Sequence, residues 1–80
     1  MINQDTWLAR VNMMNDEGFY RTAIFAMRGL RTKEEQKIAM KNLFYELSTD
    51  GVLPYSNDKI DLCKVQWHKV VECIASDILV

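Results

Sequence analysis

His68 is the chain's one histidine, and Cys63 and Cys73 are its two thiols. Read on a single helix, His68 stands four residues before Glu72, the spacing at which a carboxylate one turn on orients an imidazole for proton transfer. The same helix turns both cysteines more than about 100° away from His68, so no nucleophile and base share a face. The expectation is a surface His68–Glu72 pair without catalysis. Ten residues apart on one helix, the cysteines would lie about 15 Å apart, beyond disulfide reach. They read as reduced thiols of a cytosolic protein. For activating Cys73 the sequence offers only Lys69, four residues earlier.

Metal and phosphate chemistry fare no better. Cys63-x4-His68-x4-Cys73 misses the short Cys–Cys and His–His spacings of structural zinc sites. The stretch "STDGVLPYSND" continues into Lys59-Ile60-Asp61 and offers oxygen ligands, but not in the order of a calcium-binding loop. The three glycines stand alone, so no phosphate loop is present. Adjacent carboxylates at Asp16-Glu17 and Glu34-Glu35 diverge by about 100° on a helix. Glu34 and Glu35 fit better as acids complementing a helix start. No cofactor, metal or enzymatic activity is expected, and 80 residues leave little room to hollow a substrate pocket.

The basic middle of the chain is what remains. Residues 1–20 set Arg10 against Asp5, Asp16 and Glu17, whereas 21–41 set Arg21, Arg28, Arg31, Lys33, Lys37 and Lys41 against only Glu34 and Glu35. Residues 42–80 turn acidic again, and the whole chain carries a formal charge of −1. Arg21, Phe25 and Arg28 share one side of a helix, opposite the apolar residues that face a core. Arginine and aromatic side chains recur at protein-interface hot spots and also supply the stacking and phosphate contacts of nucleic-acid sites. Lys33, Lys37 and Lys41 follow as a stripe at i, i+4 and i+8.

Four helical pieces would position these groups. The first is expected over 6–15, capped by Asp5 or Thr6, with Trp7, Val11 and Met14 as its apolar face, joined by Leu8. The second is expected over 19–28, with Phe19, Ala23, Ala26, Met27 and Leu30 inward, widened by Tyr20 and Ile24, and Gly29 just past its end. The third begins at a capping box in which Thr32 and Glu35 bond reciprocally, and it runs through Leu47 with Met40, Leu43, Phe44 and Leu47 on its core face. Ile38 and Tyr45 lie seven apart on nearly the opposite side, where they would serve a self-association patch. The fourth is expected as one long helix over 58–78, with Ile60, Cys63, Trp67, Val70, Val71, Ile74 and Ile78 within one arc. "GVLPY" at 51–55 is the only extended candidate, limited by Pro54.

With 49% hydrophobic residues and little Gly or Pro, the chain falls in the folded class rather than the disordered one. The expected architecture is a single all-α domain over 1–80, a small irregular bundle of three to four short helices. Neither a signal peptide nor a spanning segment is read in it, so the expectation is a cytoplasmic protein without a membrane partner. The second and third helices outline a helix-turn-helix. Phe25 and Glu35, however, occupy positions where that motif wants a small and an apolar residue, and Lys33-Glu34-Glu35 would open the recognition helix with acids.

The function expected is therefore that of a regulator, inhibitor or adaptor. It would bind a protein partner through Arg21, Phe25, Arg28, Arg31, Lys33, Lys37 and Lys41, with a homodimer through Ile38 and Tyr45 as a second expectation. Nucleic acid bound along the basic stripe of 21–41 is the alternative. The small size and absence of motifs also resemble accessory products of phages and mobile elements, an association of style rather than of residues.

Overall fold

The computed structural model describes residues 2–53 and 59–78. Its elements are α1 (Gln4–Asn15), α2 (Glu17–Arg28), α3 (Lys33–Leu47), a 3₁₀ turn (Leu62–Lys64), α4 (Trp67–Glu72) and α5 (Ala75–Ile78). The fold is small and all-α, with three helices of 12 to 15 residues closed by two short ones. Among the described residues there is no strand, only isolated bridges from Thr49 to Val52 and from Val52 to Lys59. The remainder of the extended candidate, Pro54 and Tyr55, lies outside the described residues.

Local signals place the boundaries of α2 and α3. Asp16 caps α2 by accepting the Phe19 amide at 3.0 Å. Thr32 and Glu35 form the reciprocal capping box at the start of α3. That helix stops at Leu47, and the chain then reverses through Asp50 and Gly51, with φ of 52° and 79°. Two consecutive positive φ values closed by paired Thr49–Val52 hydrogen bonds of 2.9 Å describe a type I′ reversal. A Cβ on Gly51 would stand 2.4 Å from the Ile60 carbonyl oxygen, so glycine is needed there for space as well as for φ. Gly29 ends α2 in ordinary right-handed geometry, with φ −85°, and uses none of glycine's freedom.

The core joins Ala9 and Met13 of α1, Phe19, Ala23 and Met27 of α2, and Met40 and Phe44 of α3 to Leu53, Ile60, Leu62, Val65, Val70, Val71 and Ile74. Phe44 is its centre, with ring centroids 4.8 Å from Phe19 and 5.1 Å from Trp67. Ala26 is exposed rather than inward, and Leu47 stands at the rim.

Two expectations are corrected here. The first concerns α1, which begins earlier than expected, with Asn3 as its cap accepting the Thr6 amide at 2.8 Å. Its buried face is Thr6, Ala9 and Met13, one position round from Trp7, Val11 and Met14. Trp7 is 54% exposed and Met14 49%. The small side chains of Thr6 and Ala9 let α1 approach its neighbours closely, which the bulkier stripe would prevent.

The second correction concerns the last third. No long helix runs over 58–78: the chain is extended at Val65, non-helical at Gln66, and breaks again after Glu72. Ile60, Leu62 and Val65 are all buried, at spacings that no single helix face accommodates. Three of the backbone groups that a helix would satisfy internally are satisfied by α1 and its cap instead, and the Ile60 amide by the Gly51 carbonyl. The Asp5 carboxylate accepts the Asp61 amide at 3.0 Å, and Thr6 Oγ1 accepts the Gln66 amide at 2.8 Å. The Asn3 side-chain amide donates to the Lys64 carbonyl at 2.8 Å. Cys63, expected on the buried arc, is exposed as a result, and the two cysteines do not share a helix.

Candidate functional site

α2 completes its core face with Phe19, Ala23 and Met27. Residues 21, 25 and 28 then fall on the far side, because each step turns about 100°. Phe25 is 82% exposed, the most exposed large apolar side chain described. The Arg21 guanidinium meets Glu17 at 2.6 Å, one turn back, with both side chains open to solvent. Arg28, Arg31 and Lys33 are exposed and form no ion pair among the described residues. The α2 surface is therefore a convex aromatic knob with cations beside it.

The rest of the basic stripe belongs to a different surface. Lys37 and Lys41 line a groove of about 290 Å³ between α3 and the Val65–His68 segment. Ile38, expected in a separate self-association patch, lies in that groove with them. The opposing wall is Val65, Gln66, Trp67 and His68. Trp67 is held edge-on against Phe44, and Gln66 is tied to α1: its amide donates to Thr6, and its Oε1 accepts the Asn3 amide at 3.2 Å and the Thr6 hydroxyl at 3.3 Å. Lys37 bonds Glu34 at 2.7 Å, and the Lys41 ammonium sits 5.9 Å over the Tyr45 ring. Tyr45 completes that flank, with its hydroxyl 3.9 Å from the Cys63 sulfur. The contact with Cys63, then partial burial, pushes the Tyr45 phenol above its ordinary range.

The expected stripe thus divides between two surfaces, and Ile38 and Tyr45 both remain exposed. The wall Val65–His68 was not legible as part of a site. The one signal for it is the apolar spacing Ile60, Leu62, Val65, which fits neither a helix nor a strand.

The groups weighed for chemistry are dispersed. Glu72 pairs with Lys69 at 3.5 Å, so the expected His68–Glu72 pair is replaced by a lysine pair, and His68 faces the groove. Cys73 is half-buried and donates to the Val70 carbonyl at 3.0 Å. Burial pushes its thiol pKa up, against the opposing pull of Arg10, which is the reverse of an activated nucleophile. Tyr20 donates to the Asp77 carboxylate, and that bond raises its phenol pKa. A depression of about 550 Å³ gathers Asp5, Asp50 and Asp61 with Lys59 and Lys64. Among the described residues no group of three or more His, Cys, Asp or Glu is placed to hold a metal ion. Nor is any described helix long and apolar enough to cross a membrane.

No family model, curated protein or solved structure matches the chain.

Proposed function

We propose that this chain is a non-catalytic helical binding protein whose partner is another protein, with the outer face of α2 as its anchor. The observation that carries the reading is Phe25, 82% exposed on a helix whose core face is already complete. A phenylalanine in water forgoes about 1.5–3 kcal/mol of burial that an interface would supply. Arg21 and Arg28 on the same face add the residue type most suited to bidentate contacts at a protein interface.

Arg28, Arg31 and Lys33, without acidic partners among the described residues, support a second reading, nucleic acid bound along 21–41. The stripe does not form one continuous track, since Lys37 and Lys41 lie in a groove that Arg21, Arg28, Arg31 and Lys33 do not line, which weakens that reading. The experiment compares the wild-type chain with Arg21→Ala/Phe25→Ala/Arg28→Ala as bait in native lysate, with captured proteins identified by mass spectrometry. The triple variant should lose the specific partner while its helical circular dichroism stays unchanged. Retention of the partner would overturn the assignment of the α2 face. Affinity for an oligonucleotide that falls with a log–log salt slope of about −3 or steeper would favour the second reading.

A further inference from the structure

The groove between α3 and Val65–His68 combines three properties that the α2 face lacks. It is concave, its lining holds cations without an acid, and its walls are fixed from behind. Trp67 is locked against Phe44 in the core, and Gln66 is tied to the start of α1. A ligand entering it therefore meets a preformed surface and orders little of the protein on binding. Ile38, 58% exposed, and the accessible part of Trp67 give it an apolar floor. Lys37 and Lys41 stand one turn apart on one rim, about 6 Å along the axis, and His68 stands on the other.

The charge dictates the class of occupant. Lys37 is already held by Glu34, but that acid is 75% exposed and the lysine 32% exposed, and ion pairs open to solvent in this way are weakly held. An incoming carboxylate can take its place at little cost. At about 290 Å³ the groove is at the lower edge of small-molecule pockets, a size suited to one or two side chains of an extended segment. The geometry points to this groove as the seat of an acidic peptide segment of a partner protein. One apolar side chain lies on Ile38 and Trp67, and flanking carboxylates bond Lys37, Lys41 and His68. A nucleic-acid strand suits it less well, because Trp67 is packed against Phe44 instead of standing free as a stacking platform. The inference rests on the reading of the chain as a protein binder and adds a receiving groove to the projecting Phe25.

The test titrates the isotope-labelled full chain by NMR. The probe is a capped hexapeptide with two acidic residues on each side of a central Leu-Phe pair. A matched peptide with lysines replacing the acids and an eight-residue oligothymidylate serve as comparisons. The expected result is a saturable shift of the Trp67 indole and the Ile38 methyl groups by the acidic peptide, with the Trp7 indole unmoved. Lys37→Gln/Lys41→Gln should weaken it about tenfold with the circular dichroism spectrum unchanged. Phe25→Ala should leave it unaltered. Absence of groove shifts, equal binding of the lysine peptide, or tighter binding of the oligothymidylate at these residues would each overturn the proposal. So would a tenfold loss on Phe25→Ala. If the groove fails while lysate capture still depends on Phe25, only this inference falls; if capture fails as well, the protein-binding reading falls with it.

Discussion

The outer face of α2 and the α3–Trp67 groove are made of similar parts, an apolar or aromatic side chain among cations, yet they are built differently. Phe25 projects from the middle of a regular helix, 82% exposed and outside the buried face of Phe19, Ala23 and Met27. Ile38 lies beside a wall in which three of the four residues are held by something else: Trp67 by Phe44, Gln66 by Thr6 and Asn3, and Val65 by its own burial, with His68 exposed. A projecting surface tolerates change because the fold does not depend on it. A receiving one is part of the fold, and damage to its supports changes its shape. Perturbing the two surfaces should therefore give separable results.

The largest effect should come from Phe44→Ala, which removes the ring between Phe19 behind α2 and Trp67 in the groove wall. A loss of about 3–5 kcal/mol is expected, a large part of the stability of so small a domain, measured as a fall in the urea midpoint. Both surfaces should be lost together. Spectra in which the Trp67 environment survives would show that the groove is held by other contacts.

Thr6→Val should separate the surfaces. Thr6 is fully buried, and its hydroxyl satisfies the Gln66 amide, which valine leaves unpaired. The expected cost is about 1–3 kcal/mol. Amide shifts should be concentrated at Val65–His68, with the Phe25 ring resonances unmoved. Changes spread evenly over α2 would break the distinction.

The smallest effect belongs to the projecting face. Arg21→Ala removes an ion pair whose partners are both about three-quarters exposed. The expected change in stability is below about 0.5 kcal/mol by chemical denaturation. A larger loss would mean that the α2 face is tied into the fold after all.

Much of this arrangement was legible in the residues themselves. The Thr32–Glu35 capping box, the end of α3 at Leu47 and the exposure of Phe25, Ile38 and Tyr45 all follow from interactions within one or two helical turns. The α1 face was not legible, because two stripes compete on that helix and the larger side chains belong to the wrong one. Thr6 and Ala9 were selected inward by closeness of approach and by a hydrogen bond to a residue 60 positions away. The groove was hidden for the same reason: its wall exists only because 58–78 does not form one helix.

The sequence by itself determined the helical class, the end of α2, both limits of α3 and the aromatic knob between arginines, since each depends on periodicity, a cap or a turn within a few residues. α2 starts two residues earlier than the expected Phe19, at Glu17 behind the Asp16 cap. Tertiary structure alone decided which stripe of α1 is buried, where the last third breaks, and that Lys37, Lys41 and Ile38 share a groove with Trp67 and His68. The physical reason is the accounting of backbone hydrogen bonds. Asn3, Asp5 and Thr6 supply partners to Asp61, Lys64 and Gln66, and with those partners the chain can leave the helix and bury Ile60, Leu62 and Val65 together.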